Sequence, residues 1–162
     1  MNLSALIKGL NEAGVAFVVV GGIAAVAQGA PVTTFDLDIV HRQTEDNVEK
    51  LMGFLKSIDA YARRPDDIIL KPVMEDLKEK SHVLLSTNLG PLDVLAFIEK
   101  GLGFDELIDD CIQIEFHGHT VYALNLEKMV ELKRESSAPK DRHRLEILEE
   151  TLRASERWDN KG

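Results

Sequence analysis

The sequence predicts a single mixed α/β (α+β) domain, and three features carry that reading. A β-branched apolar run at residues 16–20 stops at the pair Gly21-Gly22. Residues 34–40 alternate in hydropathy with the period of a half-buried strand. Apolar residues spaced three and four apart open the chain, at Leu3, Leu6, Ile7 and Leu10, and helical spacing returns from residue 126 onward. No repeat and no linker interrupts the chain, so residues 1–162 are read as one domain, with helices from about 125 to 158 packing on it. At 18.1 kDa and 44% hydrophobic residues it can bury a core of its own.

Each element follows from local pattern. After the first strand, residues 23–28 read as a short Ala-rich helix closed by Gly29 and Pro31. The alternating strand puts Phe35, Leu37 and Ile39 on one face and Asp36, Asp38 and Val40 on the other. Thr44 caps a helix whose apolar face is Val48, Leu51, Met52 and Leu55. Residues 57–81, broken by Pro65 and Pro72, hold no sustained period beyond a short helix around 73–77. Residues 82–85 and 92–97 read as a hairpin, followed by a helix at about 104–110. Two strands, 111–116 and 120–123, flank a turn at His117-Gly118-His119. Helices at 126–134 and about 140–158 finish the chain, separated by Ser136-Ser137-Ala138-Pro139. The run without charge from residue 14 to 35 needs cover on both sides. A mixed sheet supplies it when the 34–40 strand lies between the 16–20 strand and the strand of Asp93.

Composition excludes several classes of function. Nineteen Lys and Arg against 28 Asp and Glu leave a net charge of −9, which argues against a protein that neutralises the phosphates of duplex DNA. The one cysteine, Cys111, forms no internal disulfide and suits a reducing cytoplasm. The first helix has the spacing of an amphipathic face and not of a signal peptide. The uncharged run is broken by Gly21-Gly22, Gln28, Pro31 and Thr33-Thr34, too early to cross a membrane.

Chemistry concentrates in three places. Asp36-Leu37-Asp38 puts two carboxylates on one strand face while Leu37 anchors the other. A bare D-x-D is most often a pair of solvated acids, yet two like charges so close call for a cation, and magnesium favours carboxylate and phosphate oxygens. Gly21-Gly22 closes a buried strand and opens a helix, where backbone N–H groups can cradle phosphate; a tight turn is the plainer use of such a pair. A side chain at either glycine is expected to fill the space of a phosphate and to be strained at positive φ, and Gly22→Val is expected to end triphosphate binding while leaving the apo domain folded. In Pro91-Leu-Asp-Val-Leu-Ala-Phe97, Asp93 shares a face with Leu95 and Phe97, a costly place for an acid without a partner. With the D-x-D strand as its neighbour, Asp93 completes a three-carboxylate metal site.

The motif Val18-Val-Val-Gly-Gly-Ile-Ala, then Gly29, then Thr34-Phe-Asp-Leu-Asp-Ile39, resembles the signature of the polymerase-beta-like nucleotidyltransferases. The likeness is strongest to small bacterial members related to abortive-infection and toxin–antitoxin enzymes. It continues through Leu92-Asp93-Val94, residues 126–133, Lys140-Asp141 and Leu145. It implies the nucleotidyltransferase fold: a mixed central sheet flanked by helices, with a helical C-terminus. It also implies that Gly21, Gly22, Thr34, Lys133 and Lys140 bind a nucleoside triphosphate. Asp36, Asp38 and Asp93 would hold magnesium, or manganese in its place, and carry out transfer, with Asp93 helping to deprotonate the acceptor hydroxyl. The implied reaction moves a nucleoside monophosphate to RNA (tRNA included), a protein hydroxyl or a small molecule and releases pyrophosphate. An antitoxin-type protein partner and a toxin-type role come with the same likeness. The alternative is a catalytically silent relative that binds nucleotide, RNA or a partner. The chain departs from many relatives in having Ile23 after the glycine pair, and Val32 and Ala138 where arginines are frequent.

Lys128, Lys133, Arg134, Lys140, Arg142 and Arg144 form a local positive stretch in an acidic protein, suited to triphosphate or RNA unless they simply solvate two helices. His117 and His119 flank a turn without further ligands, and Cys111 reads as a small core residue.

Overall fold

Asn2 accepts the backbone N–H of Ala5 and starts α1 (Leu3–Glu12), whose buried face is Leu6, Ile7 and Leu10. The computed structural model describes residues 1–79 and 82–161. Lys80 and Ser81, at the end of the weakly patterned 57–81 stretch, and Gly162 lie outside the described residues. The strands are β1 (Phe17–Val20), β2 (Leu37–His41), β3 (Tyr61–Ala62), β4 (His82–Ser86), β5 (Leu92–Leu95), β6 (Cys111–Phe116) and β7 (His119–Leu124). The further helices are α2 (Gly21–Ala27), α3 (Glu45–Ser57), α4 (Met74–Glu79), α5 (Phe104–Leu107), α6 (Leu126–Arg134) and α7 (Pro139–Lys161). No described helix is long and apolar enough to cross a membrane.

Among the described residues the strands form one seven-stranded sheet in the order β3-β4-β5-β2-β1-β7-β6. β2 runs antiparallel to β1 and parallel to β5, so the sheet is mixed and the D-x-D strand lies between the two expected neighbours. Leu37 and Ile39 are fully buried, as the alternation requires. Phe35 departs from it: at 77% exposure it precedes β2 and does not share the buried face, because the strand begins only at Leu37. Thr44 caps α3 as expected, accepting the N–H of Asn47.

Two side-chain amides, Asn47 buried and Gln28 half-buried, tie the layers together. Asn47 on α3 accepts the N–H of Ala16 at 2.6 Å and donates to the carbonyls of Ala16 and Arg42, both at 2.9 Å. Gln28, just past α2, donates to the carbonyls of Ala24 and Leu124 and accepts the N–H of Leu126 at 2.9 Å. That last bond satisfies one of the open N–H groups at the start of α6 and fixes where this helix crosses the sheet.

Candidate active site

Strand pairing sets Val20, Asp38, Asp93 and Leu84 side by side across β1, β2, β5 and β4. Directly opposed residues in adjacent strands point to the same face, so Asp38 and Asp93 meet there. Asp36 stands one residue before β2, and its carboxylate turns to the same point. One oxygen from each of Asp36, Asp38 and Asp93 lies within 4.8 Å of the others. The sheet thus brings together all three acids expected from the sequence.

The cluster is electrostatically strained. Burial, and then the charges of Asp36 and Asp93, push Asp38 from the usual 3.8 up to about 8. Asp36 is raised too, by burial first and then by a hydrogen bond to Asp93 and its charge. Among the described residues Asp38 Oδ1 is buried without a hydrogen-bond partner. A partnerless buried carboxylate oxygen, aligned with two more carboxylates, fits a hard divalent cation, which binds through such oxygens. The donor set therefore suits the metal that the motif implies.

Arg63 escaped the sequence reading. Its Nη2 donates to Asp93 Oδ1 at 2.9 Å and to the Leu85 carbonyl at 2.7 Å. It is delivered by β3, a two-residue edge strand pairing with β4, and by the Arg63 N–H bonding the Leu84 carbonyl. The guanidinium neutralises part of the cluster and leaves Asp93 its second oxygen.

The glycine pair has a different steric reason from the expected one. Gly21 has φ +69°, and a Cβ there would collide with Asp38 Oδ2. A Cβ on Gly22 would stand 2.7 Å from Cβ and Oγ1 of Thr34. The pair lets α2 start directly against the acid strand, so a bulky residue at position 22 strains the apo fold itself. That corrects the expectation that such a change leaves the domain undisturbed. Thr34 in turn donates to the Asp36 carbonyl at 3.2 Å.

Beside the acids lies a cavity of about 360 Å³ lined by Gly21, Gly22, Thr34 and Asp36 from the sheet side. Lys133, Lys140 and Arg144 line it from α6 and α7. Lys133 bonds Asp141 at 3.1 Å and Glu99 at 3.4 Å. Asp141 is held below the usual carboxylate range by the Ser136 hydroxyl, which donates at 2.5 Å, and then by Lys133. The positive stretch read from the sequence is divided in space: Lys128 pairs with Asp110 and Glu131, and Arg134 with Glu149. Cys111 offers no nucleophile, its thiol pushed up to about 12 by burial and by Asp110.

No known family profile matches the chain, and no curated protein matches it in sequence. Solved structures do. The chain resembles the lincosamide antibiotic adenylyltransferase LnuA with lincomycin bound, at 14% identity and TM-score 0.59, over 91% of this chain and 94% of that one. It resembles ANT(2″)-Ia in complex with adenylyl-2″-tobramycin at 14% identity and TM-score 0.56, over 96% and 92%. A Thermotoga maritima protein, TM1012, assigned to the nucleotidyltransferases, aligns at 21% identity and TM-score 0.52, over 99% and 91%. The chain has the nucleotidyltransferase fold that its motif predicts.

Proposed function

We propose that this protein is a metal-dependent nucleotidyltransferase that moves a nucleoside monophosphate from a nucleoside triphosphate to an acceptor hydroxyl. The observation that carries the reading is the convergence of Asp36, Asp38 and Asp93 within 4.8 Å, beside a cavity holding Lys133, Lys140 and Arg144. One of the similar structures is a lincosamide antibiotic adenylyltransferase and another holds adenylyl-2″-tobramycin, which supports transfer chemistry on this fold. Magnesium bound by the three acids would neutralise them and stabilise charge on the phosphate oxygens.

The chain's own residues have separable tasks in this reading. Lys133, Lys140 and Arg144 face the triphosphate, and Gly21 and Gly22 let the backbone approach it. Asp93 accepts the acceptor's proton through the oxygen that Arg63 does not occupy. The silent alternative calls for Asp93 turned away from Asp36 and Asp38; its position in the trio supports the catalytic one. The test is pyrophosphate release from each of the four common ribonucleoside triphosphates with magnesium and a total cell extract. Release that requires both magnesium and extract supports transfer, and its absence with all four contradicts it.

A further inference from the structure

A second cavity, of about 440 Å³, opens on the other side of Asp38. It meets the cation-lined cavity at Gly21, Asp38, Met129 and Lys133, so molecules in the two would meet beside Asp38. Its walls are apolar: Leu95, Phe97, Ile98, Leu124 and Leu132 among them. Volume and lining are those of a site for a small organic molecule. Its charged lining groups are Asp38, Glu99 and Lys133, and Lys133 is already matched to Glu99 and Asp141.

Resting on the nucleotidyl-transfer reading, we propose that the acceptor is a small amphiphile, neutral or cationic. Its apolar body would fill the cavity around Leu95, Phe97 and Leu132, and its hydroxyl would reach the carboxylates. RNA fits poorly, because its phosphates need uncommitted cations and its bases need stacking surfaces. Outside the acid trio the charged lining groups, Glu99 and Lys133, pair with each other, and among the described lining residues the one ring besides His82 is Phe97. A protein segment fits poorly too, since its backbone N–H and C=O groups would meet apolar walls without partners. In the transfer, the acceptor oxygen bonds to the α-phosphorus and the bond from that phosphorus to its bridging oxygen breaks. Pyrophosphate leaves with the bond electrons, and the hydroxyl proton passes to Asp93.

The test incubates the full chain with magnesium, α-labelled nucleoside triphosphates and cell extract separated into low-mass, RNA and protein fractions. Label is expected in the low-mass fraction, from acceptors that flow through an anion exchanger before the reaction. Phe97→Glu, at a position 42% exposed where a carboxylate stays solvated, should raise the half-saturating amount of that fraction about tenfold. Phe97→Leu should restore it, and both variants should keep the thermal stabilisation given by magnesium and triphosphate. Label in RNA or protein, acceptors retained by the anion exchanger, no low-mass product, or a Phe97→Glu enzyme equal to wild type would each overturn the acceptor class. Loss of magnesium–triphosphate stabilisation in the wild type would instead overturn the underlying transfer reading.

Discussion

Arg63 and Asp93, thirty residues apart in the chain, are joined by a 2.9 Å hydrogen bond between guanidinium and carboxylate. Asp93 is only 9% exposed, whereas about a third of the Arg63 side chain is open to solvent. The pair therefore stabilises the acid cluster while remaining within reach of ligands. Arg63→Met should destabilise the metal-free protein by about 1–2 kcal/mol, since a hydrogen-bonded charge loses its partner in a partly solvated place. Magnesium should recover much of that loss. Thermal melting with and without the cation checks this; equal stability of variant and wild type without metal would contradict it.

Gly21→Ala tests the contact between the glycine pair and the acids. The position has φ +69°, and the added Cβ meets Asp38 Oδ2. Backbone strain alone costs about 1–2 kcal/mol. The expected outcome is a lower melting temperature and weaker magnesium binding together, because Asp38 must move. Titration calorimetry showing wild-type affinity in a folded variant would separate Gly21 from the site.

Asp38 gives the metal-free protein a pH dependence of defined sign. Its folded-state value of about 8 lies above the ordinary 3.8 of the unfolded chain. Between those values the native state holds a proton that the unfolded state has released, so stability falls as pH rises through that window. Denaturant midpoints in a chelator should decline from about pH 5 to about pH 8, and Asp38→Asn should flatten the decline. Magnesium affinity should rise over the same range, since the cation displaces the proton.

The acid motif was legible because strand alternation is local: Asp36, Leu37 and Asp38 need only their own period to be assigned to faces. Asp93 was legible for the same reason, an acid in line with Leu95 and Phe97. Arg63 was not, because it reaches its place through a two-residue strand in a stretch broken by Pro65 and Pro72. Phe35 was placed on a buried face because hydropathy alone does not mark where pairing with β1 and β5 stops. Gln28 was passed over as a helix end, although its contacts to Leu124 and Leu126 lie almost a hundred residues away.

Gln28→Ala should act at a distance. Losing its bonds to Leu124 and Leu126 loosens the start of α6, which carries Met129 and Lys133 to both cavities. About 1–2 kcal/mol of stability should go. The triphosphate KM should also rise, while Asn125→Ala, which removes the side-chain cap to Lys128, provides the comparison for a purely local loss at the same helix end. Steady-state kinetics with unchanged KM in Gln28→Ala would limit the residue to packing.

Lys140→Ala and Arg144→Ala separate the triphosphate role from the acid cluster. Both side chains line the cation cavity from the first turns of α7. Each should weaken triphosphate affinity about three- to tenfold and leave magnesium binding to the apo protein unchanged. Fluorescence titration with a labelled triphosphate analogue measures the first, and calorimetry the second.

The most direct measurement is the melting temperature against magnesium concentration for wild type, Asp38→Asn and Asp93→Asn, each with and without triphosphate. If Asp36, Asp38 and Asp93 form one cation site, magnesium raises the wild-type melting temperature, and triphosphate raises it further. In the same account Asp38→Asn is at least as stable as wild type without metal, being free of the cost of keeping a crowded acid protonated, and both variants lose the magnesium response. A magnesium response of equal size in all three proteins would contradict the site, and the enzyme reading would fall with it.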